Sequence, residues 1–441
     1  VELSVNDLAS HTFITGSTGA GKSNTVFQLL AELNKKDVKF LVVEPAKGEY
    51  KDVFGDANVY GTNPKFTKLL RLDPFCFPKN IAVSEHIDRL VEIFNVCWPM
   101  YAAMPAILKD AVIRSYEDAG WNIAASENDD AEPLYPSFID VLYNIRIILR
   151  ESEYSSDNKS DYTGALVTRI KSLTNGINGQ IFTAKALSDK ELFDDNVIID
   201  LSRVGSNETK SLIMGLLVMK LQEYRLSENK KNKGLRHITV LEEAHNLLKR
   251  TSTEQISEGA NILGKSVEML ANSIAELRAF GEGFIIADQS PGLLDMAVIR
   301  NTNTKIIHRL PDISDRVLVG KAAGLTDVQI EELIKLELGV AAIYQSDWIE
   351  PVLCKINEFT DDKKKKYNKP NDNNVGNSDE IVQKIYRKII HPEYKIDMLH
   401  EKLKELDLSV KAKRILSNGH IDESEKQELI YHLTRAGEWI D

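Results

Sequence analysis

Apolar residues along the chain gather into short continuous runs separated by amphipathic stretches. His11–Gly16 (HTFITG), Val38–Glu44 (VKFLVVE), Asn196–Ser202 (NVIIDLS), His237–Glu243 (HITVLEE), Gly283–Gln289 (GFIIADQ) and Thr304–Leu310 (TKIIHRL) are runs of this kind. Runs that are apolar at successive rather than alternate positions predict strands covered on both faces, as in a parallel sheet. Between them Ser23–Lys36, Thr209–Leu226 and Ala260–Gly281 place apolar residues at helical spacing, which predicts helices with one face on that sheet. Strand, Gly-rich turn, helix and strand over residues 11–44 make one βαβ unit. Gly339–Gln345 and Glu350–Ile356, joined by a short Ser-Asp-Trp turn, predict a closing hairpin.

The pattern changes between about residues 80 and 195, where helix-spaced apolar residues replace the continuous runs. This stretch is expected to be a helical insertion between two strands of one sheet. After Phe359 the chain becomes polar and rich in Lys and Asn, which predicts a flexible linker over 361–380. Residues 381–441 then predict a small helical C-terminal segment. The expected architecture is α/β: a core over 1–360, mainly parallel sheet with helices on both faces, carrying the 80–195 insertion and a helical tail.

Composition narrows the class without naming it. A chain of 441 residues with 43% hydrophobic and 27% charged residues excludes collagen-like, low-complexity and wholly disordered proteins. The formal charge is −11, whereas a broad basic surface for nucleic acid carries the opposite sign. From Asp361 onward there are 16 Lys and Arg against 16 Asp and Glu, so the excess lies in residues 1–360. Any DNA contact is therefore expected to be local, in a channel or patch. The three cysteines, Cys76, Cys97 and Cys354, form no CxxC or Cys/His cluster, which argues against a disulfide framework or zinc site and for a reducing cytoplasm. No apolar run reaches the ~18–20 residues of a membrane span and no signal peptide is apparent. The chain opens on Val1 rather than Met, as expected of a processed protein or a cut from a longer one.

The strongest chemical signal is Gly16-Ser17-Thr18-Gly19-Ala20-Gly21-Lys22-Ser23, followed by Asn24, which matches G-x-x-x-x-G-K-[ST] at every fixed position. Glycines let the backbone wrap closely so that N–H groups point at phosphates, and the helix N-terminus adds its dipole. Lys22 is expected on the β- and γ-phosphates of ATP and the Ser23 hydroxyl on Mg²⁺. The second signal is HITVLEEAHNLL, a buried strand ending in Glu242 and Glu243. In ATP-hydrolysing P-loop proteins with an additional strand, the first acid holds the Mg²⁺ water shell and the second polarises the attacking water. Glu242 stands where Asp is more usual. His245 and Asn246 are expected to pack or to support these groups. The third signal is Gln289, a polar residue at the tip of the next parallel strand, where it can orient water as a sensor of the γ-phosphate.

These motifs, with VEPAKGEY (Val43–Tyr50), VIIDLSRV, ELRAFGEGFIIADQSP and IRNTNTKIIHRL in order, resemble the HerA branch of the HerA/FtsK superfamily of hexameric DNA-translocating ATPases. The resemblance runs from about Ser10 to Phe359. It implies that the core over 1–360 is a RecA-like P-loop fold, in a ring of identical subunits with ATP sites shared between neighbours, and a trans-acting arginine finger that matches Arg278; Arg300 and Arg309 are rival candidates. Such fingers can be worth ~10³–10⁵ in rate. It also implies a supporting role for Glu44 beside Mg²⁺ or water, a turn or subunit contact for Glu49, and a packing role for His11. Members commonly carry an N-terminal β-barrel that helps close the hexamer; this sequence starts almost at the P-loop strand and is expected to lack that barrel.

In a ring, loops facing the channel hold DNA phosphates with few basic residues, which reconciles an acidic chain with DNA. RVGSNETK (Arg203–Lys210) is the candidate loop, with Arg203 and Lys210 its contacts. KKNK (Lys230–Lys233) and KKKK (Lys363–Lys366) are read as solvated charge runs. The expected function is an ATP-driven double-stranded DNA translocase or helicase, a homo-hexameric motor in a DNA-processing or anti-phage defence complex with a partner nuclease or effector, without membrane association. The alternative is an oligomeric ATP-dependent scaffold that regulates such a partner with little translocation. A small-molecule kinase fits poorly, because Glu242 and Glu243 are set to activate water that a kinase must exclude.

Overall fold

A computed structural model of the chain describes residues 2–129, 133–231, 234–251, 258–360, 363–369, 385, 407–417 and 422–436. Its contacts divide into two compact units, one of Val1–Lys68, Glu92–Met100 and Ser188–Lys369, the other of Leu69–Val91, Tyr101–Leu187 and Pro370–Asp441. Among the described residues no helix is long and apolar enough to cross a membrane.

The first unit is built on a sheet of β1 (Thr12–Thr15), β2 (Lys39–Glu44), β3 (Asn58–Gly61), β4 (Lys68–Leu69), β5 (Val197–Asp200), β6 (His237–Glu242), β7 (Glu282–Asp288), β8 (Thr304–Ile307), β9 (Val340–Gln345) and β10 (Val352–Lys355). The spatial order is β10-β9-β8-β1-β7-β6-β2-β5-β3-β4. From β8 through β3 every pairing is parallel, while β9 joins β8 and β10 antiparallel. All six apolar runs form strands, and β6 and β7 are buried along their whole length, as expected of strands covered on both faces. The helix Lys22–Lys35 turns Val26, Leu30 and Leu33 into a core shared with Ile14, Val42, Val240 and Ile285. The expected hairpin closes one end of the sheet, and β10 is largely exposed. Strands β3 and β4 were not anticipated, being short and bounded by turns.

The second unit is helical, with Met104–Asp118, Phe138–Glu151 and Glu423–Ala436 among its described helices. Ser137 caps the second of these in a reciprocal box with Asp140. Described parts of the tail pack within this unit. Asp407 accepts from the Thr183 hydroxyl (2.8 Å) and the Ala184 N–H (3.1 Å), and the Val410 N–H donates to Asp140 (2.9 Å). His432 lies 5.2 Å from the Tyr143 ring. Of the stretch expected as a linker, 361–362 and 370–380 lie outside the described residues. Lys363–Lys369 belong to the first unit, where Lys365 exchanges main-chain hydrogen bonds with Val53 and Gly55.

Candidate functional site

The parallel strands of the first unit place their last residues along one edge of the sheet, the position where α/β folds bind ligands. Glu44, Asp200, Glu242 and Asp288 end β2, β5, β6 and β7, and Thr15 of β1 lies opposite Asp288. The P-loop leaves this edge directly after β1. Gly16 has φ +156°, and a Cβ there would stand 2.5 Å from that of His308, so no other residue fits without displacing His308, the residue just after β8. Gly21, at φ +118°, caps the helix start. The Ser17 N–H donates to the Arg309 carbonyl (2.8 Å), and Lys22 Nζ donates to the carbonyls of Gly16 (2.5 Å) and Ser17 (3.2 Å). Lys22 is buried, which lowers its pKa against the opposing pull of Glu242 and Glu243. Asn24 faces away from the loop, bonding the main chain of Asn357 and Phe359.

The two strand-end acids separate structurally. Glu242 is the last residue of β6, and burial pushes its pKa up to about 7. The Tyr50 hydroxyl donates to its Oε1. Glu243 lies beyond the strand with φ 46° and ψ 50°, a left-handed conformation rare for a side chain of this size. Its carbonyl accepts from Asn246 Nδ2 (2.8 Å) and its carboxylate from Gln289 Nε2, while Gln289 Oε1 accepts from the Thr18 hydroxyl (2.5 Å). The P-loop, the acidic turn and the tip of β7 are thereby joined in one chain of hydrogen bonds. His245 pairs through Nδ1 with Asp288 (2.9 Å), which raises its pKa. Glu243, His245 and Asp288 bring potential ligand atoms within 4.8 Å of one another.

The loop after β2 completes the edge. Glu44 accepts the N–H groups of Glu49 (2.8 Å) and Tyr50 (3.2 Å), yet burial still pushes it up to about 7. Lys47 Nζ reaches Ser23 Oγ (3.3 Å) and Glu49 (3.1 Å), with Glu242 and Glu44 among the charges that stabilise the ammonium. A cation thus already finds favourable ground beside the Ser23 hydroxyl and the Glu242 carboxylate, the donor set a magnesium ion needs. Burial raises both Glu44 and Glu242, and neighbouring carboxylates raise them further, so a bound cation would stabilise their charged forms. A nucleotide phosphate group and its magnesium fit these residues.

A family profile described as "Helicase HerA, central domain" matches residues 1–221. The chain belongs to this family. The DNA double-strand break repair helicase HerA of Sulfurisphaera tokodaii is 24% identical over 363 residues, 81% of this chain and 67% of that protein. The Saccharolobus solfataricus HerA is 23% identical over 81% of this chain and 66% of its own length. The chain therefore spans about two thirds of these relatives. Its fold is similar to that of VirB4 from Thermoanaerobacter pseudethanolicus (TM-score 0.58, 15% identity, 80% of this chain and 90% of that one). It is also similar to the plasmid coupling protein TrwB in complex with ADP and Mg²⁺ (TM-score 0.53, 12% identity, 80% and 87%). Fold and family are those of a P-loop ATPase.

Within this HerA-type core, the structure gathers Gly16–Ser23, Glu242, Glu243 and Gln289 on one edge. Arg278 is elsewhere: it is exposed in the short turn Leu277–Phe280, before β7 begins. The length of β7, roughly 20 Å, separates it from its own chain's P-loop. Arg309 lends its carbonyl to the P-loop, and Arg300 ends the helix Met296–Arg300. Arg203 is exposed beyond β5 with its guanidinium 4.8 Å from the Phe66 ring, and Lys210 lies half-buried in the first turn of Asn207–Glu228. Of KKNK, Asn232 and Lys233 lie outside the described residues. Sequence reasoning missed Tyr50, Lys47 and the Thr18 link. The KGEY stretch just after β2 is the signal that points to the first two.

Proposed function

We propose that this chain is an ATP-hydrolysing motor that moves double-stranded DNA through a ring of identical subunits. The observation that carries the reading is the hydrogen-bonded chain Thr18–Gln289–Glu243, which couples the phosphate loop to the water-activating acid. Lys22 and the P-loop amides hold the phosphates. Ser23 and Glu242 hold magnesium, which supplies charge neutralisation at the transferring phosphoryl group. Glu243 accepts the proton of an oriented water, and Gln289 reports on the γ-phosphate to the P-loop and Glu243 together. Arg278, on the opposite edge of the sheet, acts on the site of a neighbouring subunit. Arg203 and Lys210 hold DNA phosphates, few enough per subunit to suit an acidic chain. The HerA relatives, named as DNA double-strand break repair helicases, support DNA as the substrate; a partner nuclease or effector in a DNA-processing or defence complex belongs to the same proposal.

ATP hydrolysis measured with and without linear duplex DNA tests the reading. Duplex should stimulate turnover, and Glu243→Gln should lower it by ~10²–10³ while nucleotide still binds. If duplex neither binds nor stimulates at low salt while ATP is hydrolysed, the chain is instead a scaffold whose ATPase serves a protein partner.

A further inference from the structure

We propose that Tyr50 is a positioning residue for the magnesium site, its hydroxyl fixing the Glu242 carboxylate so that the second oxygen is free for the metal. The proposal rests on the reading of Glu242 as a magnesium residue. Glutamate at this position reaches one methylene further than aspartate and has one more rotatable bond, so its carboxylate needs an external constraint to present a defined oxygen. Tyr50 supplies it. The ring is 1% exposed and packs edge-on against Phe27, centroids 5.0 Å apart. Its main-chain N–H, with that of Glu49, is held by Glu44 at the end of β2. The ring, buried against Phe27 on an anchored main chain, donates its hydroxyl to Glu242 Oε1. The loop after β2 thus sets the rotamer of a side chain at the end of β6, the neighbouring strand. Groups behind a metal's own ligands commonly act in this way, and their loss typically costs 10–100-fold in metal affinity.

The test is Tyr50→Phe, which removes one oxygen and keeps the ring. Mn²⁺ affinity, read by electron paramagnetic resonance with a non-hydrolysable ATP analogue bound, should weaken about 10-fold. Affinity for the same analogue without metal should stay unchanged. In a Glu242→Gln background, Tyr50→Phe should have no further effect on Mn²⁺. Unchanged Mn²⁺ affinity in Y50F overturns the proposal. So does an equal loss of metal-bound and metal-free nucleotide binding, which would mark a purely structural tyrosine. Unchanged Mn²⁺ affinity in Glu242→Gln would instead sink the magnesium reading beneath it. Should Y50F not fold, Phe27→Leu keeps the hydroxyl but removes the ring that braces it, and should weaken Mn²⁺ selectively by a smaller factor; no selective weakening there counts against Tyr50.

Discussion

The two edges of the sheet bury glutamates that respond to burial in opposite ways. At the start of β7, Glu282 is 0% exposed yet sits below the usual carboxylate range: burial acts against its charge, but His237 and Arg225 outweigh that. Arg225 binds Glu282, Asp194 (2.9 Å) and Glu228 (3.1 Å), and donates to the Phe193 carbonyl (2.7 Å). At the other edge, Glu242 is 8% exposed and is pushed up to about 7. Its hydrogen bond comes from a neutral tyrosine, and the lysines act on it only across space. Around Glu282 the amino edge is electrically closed, while around Glu242 the carboxyl edge leaves a buried charge without a bonded cation, unlike Asp200 on the same edge, which pairs with Lys51. Buried charge alone does not mark a site; buried charge left without a full counter-charge does.

The largest expected effect comes from breaking the closed edge. Arg225→Met leaves Glu282, Asp194 and Glu228 without their shared cation, and removing one partner of a buried ion pair costs about 3–5 kcal/mol. Denaturant unfolding should show that loss, while nucleotide affinity, measured where the variant is folded, should stay at the wild-type value. A fall in nucleotide affinity of the folded variant would mean that the two edges are coupled and the contrast is false.

The open edge makes the opposite prediction, visible in its pH dependence. Glu44 is 2% exposed and its carboxyl is raised from 4.5 to about 7. Its folded state therefore holds a proton that the unfolded chain releases, so the penalty for ionising it is absent below pH ~4.5, grows through the window and is complete above pH ~7. Glu44→Gln is neutral throughout and keeps a carbonyl acceptor for the loop. Relative to wild type, its stability should rise between pH 5 and pH 8, by up to about 3 kcal/mol at ~1.4 kcal/mol per pKa unit. Thermal midpoints at the two pH values check this. A constant difference would show that the carboxylate edge is satisfied after all.

The same contrast explains what the sequence could disclose. The six apolar runs each became a strand, because burial on both faces writes itself as consecutive Val, Ile and Leu. The P-loop was legible because its chemistry demands a fixed local spacing. The neighbours of Glu242 and Glu243 were not, because they arrive from distant strands. Tyr50 meets Glu242 across 192 positions and Thr18 meets Gln289 across 271, and nothing in KGEY or the P-loop spells out those partners. The Glu243 turn was likewise hidden: HITVLEE reads as one strand, whereas the chain reverses into the left-handed region after Glu242. Strands β3 and β4 were lost to shortness, and the tail's contacts with Asp140 and Thr183 to sequence distance.

The smallest predicted effect tests how tightly the open edge acts as one device. The Thr18 hydroxyl donates to Gln289 in an exposed setting, so its loss should cost about 1 kcal/mol, the size of an ordinary neutral hydrogen bond. In Thr18→Val, ATP turnover should fall roughly 5-fold at that energy, since 1.36 kcal/mol corresponds to tenfold. Gln289→Ala should cost more, because it also releases Glu243. The double variant should be no slower than Gln289→Ala alone, since Thr18 acts through the residue already removed. Multiplying losses would mean that Thr18 and Gln289 serve the phosphates separately, and the carboxyl edge would then be a set of neighbours rather than a linked chain.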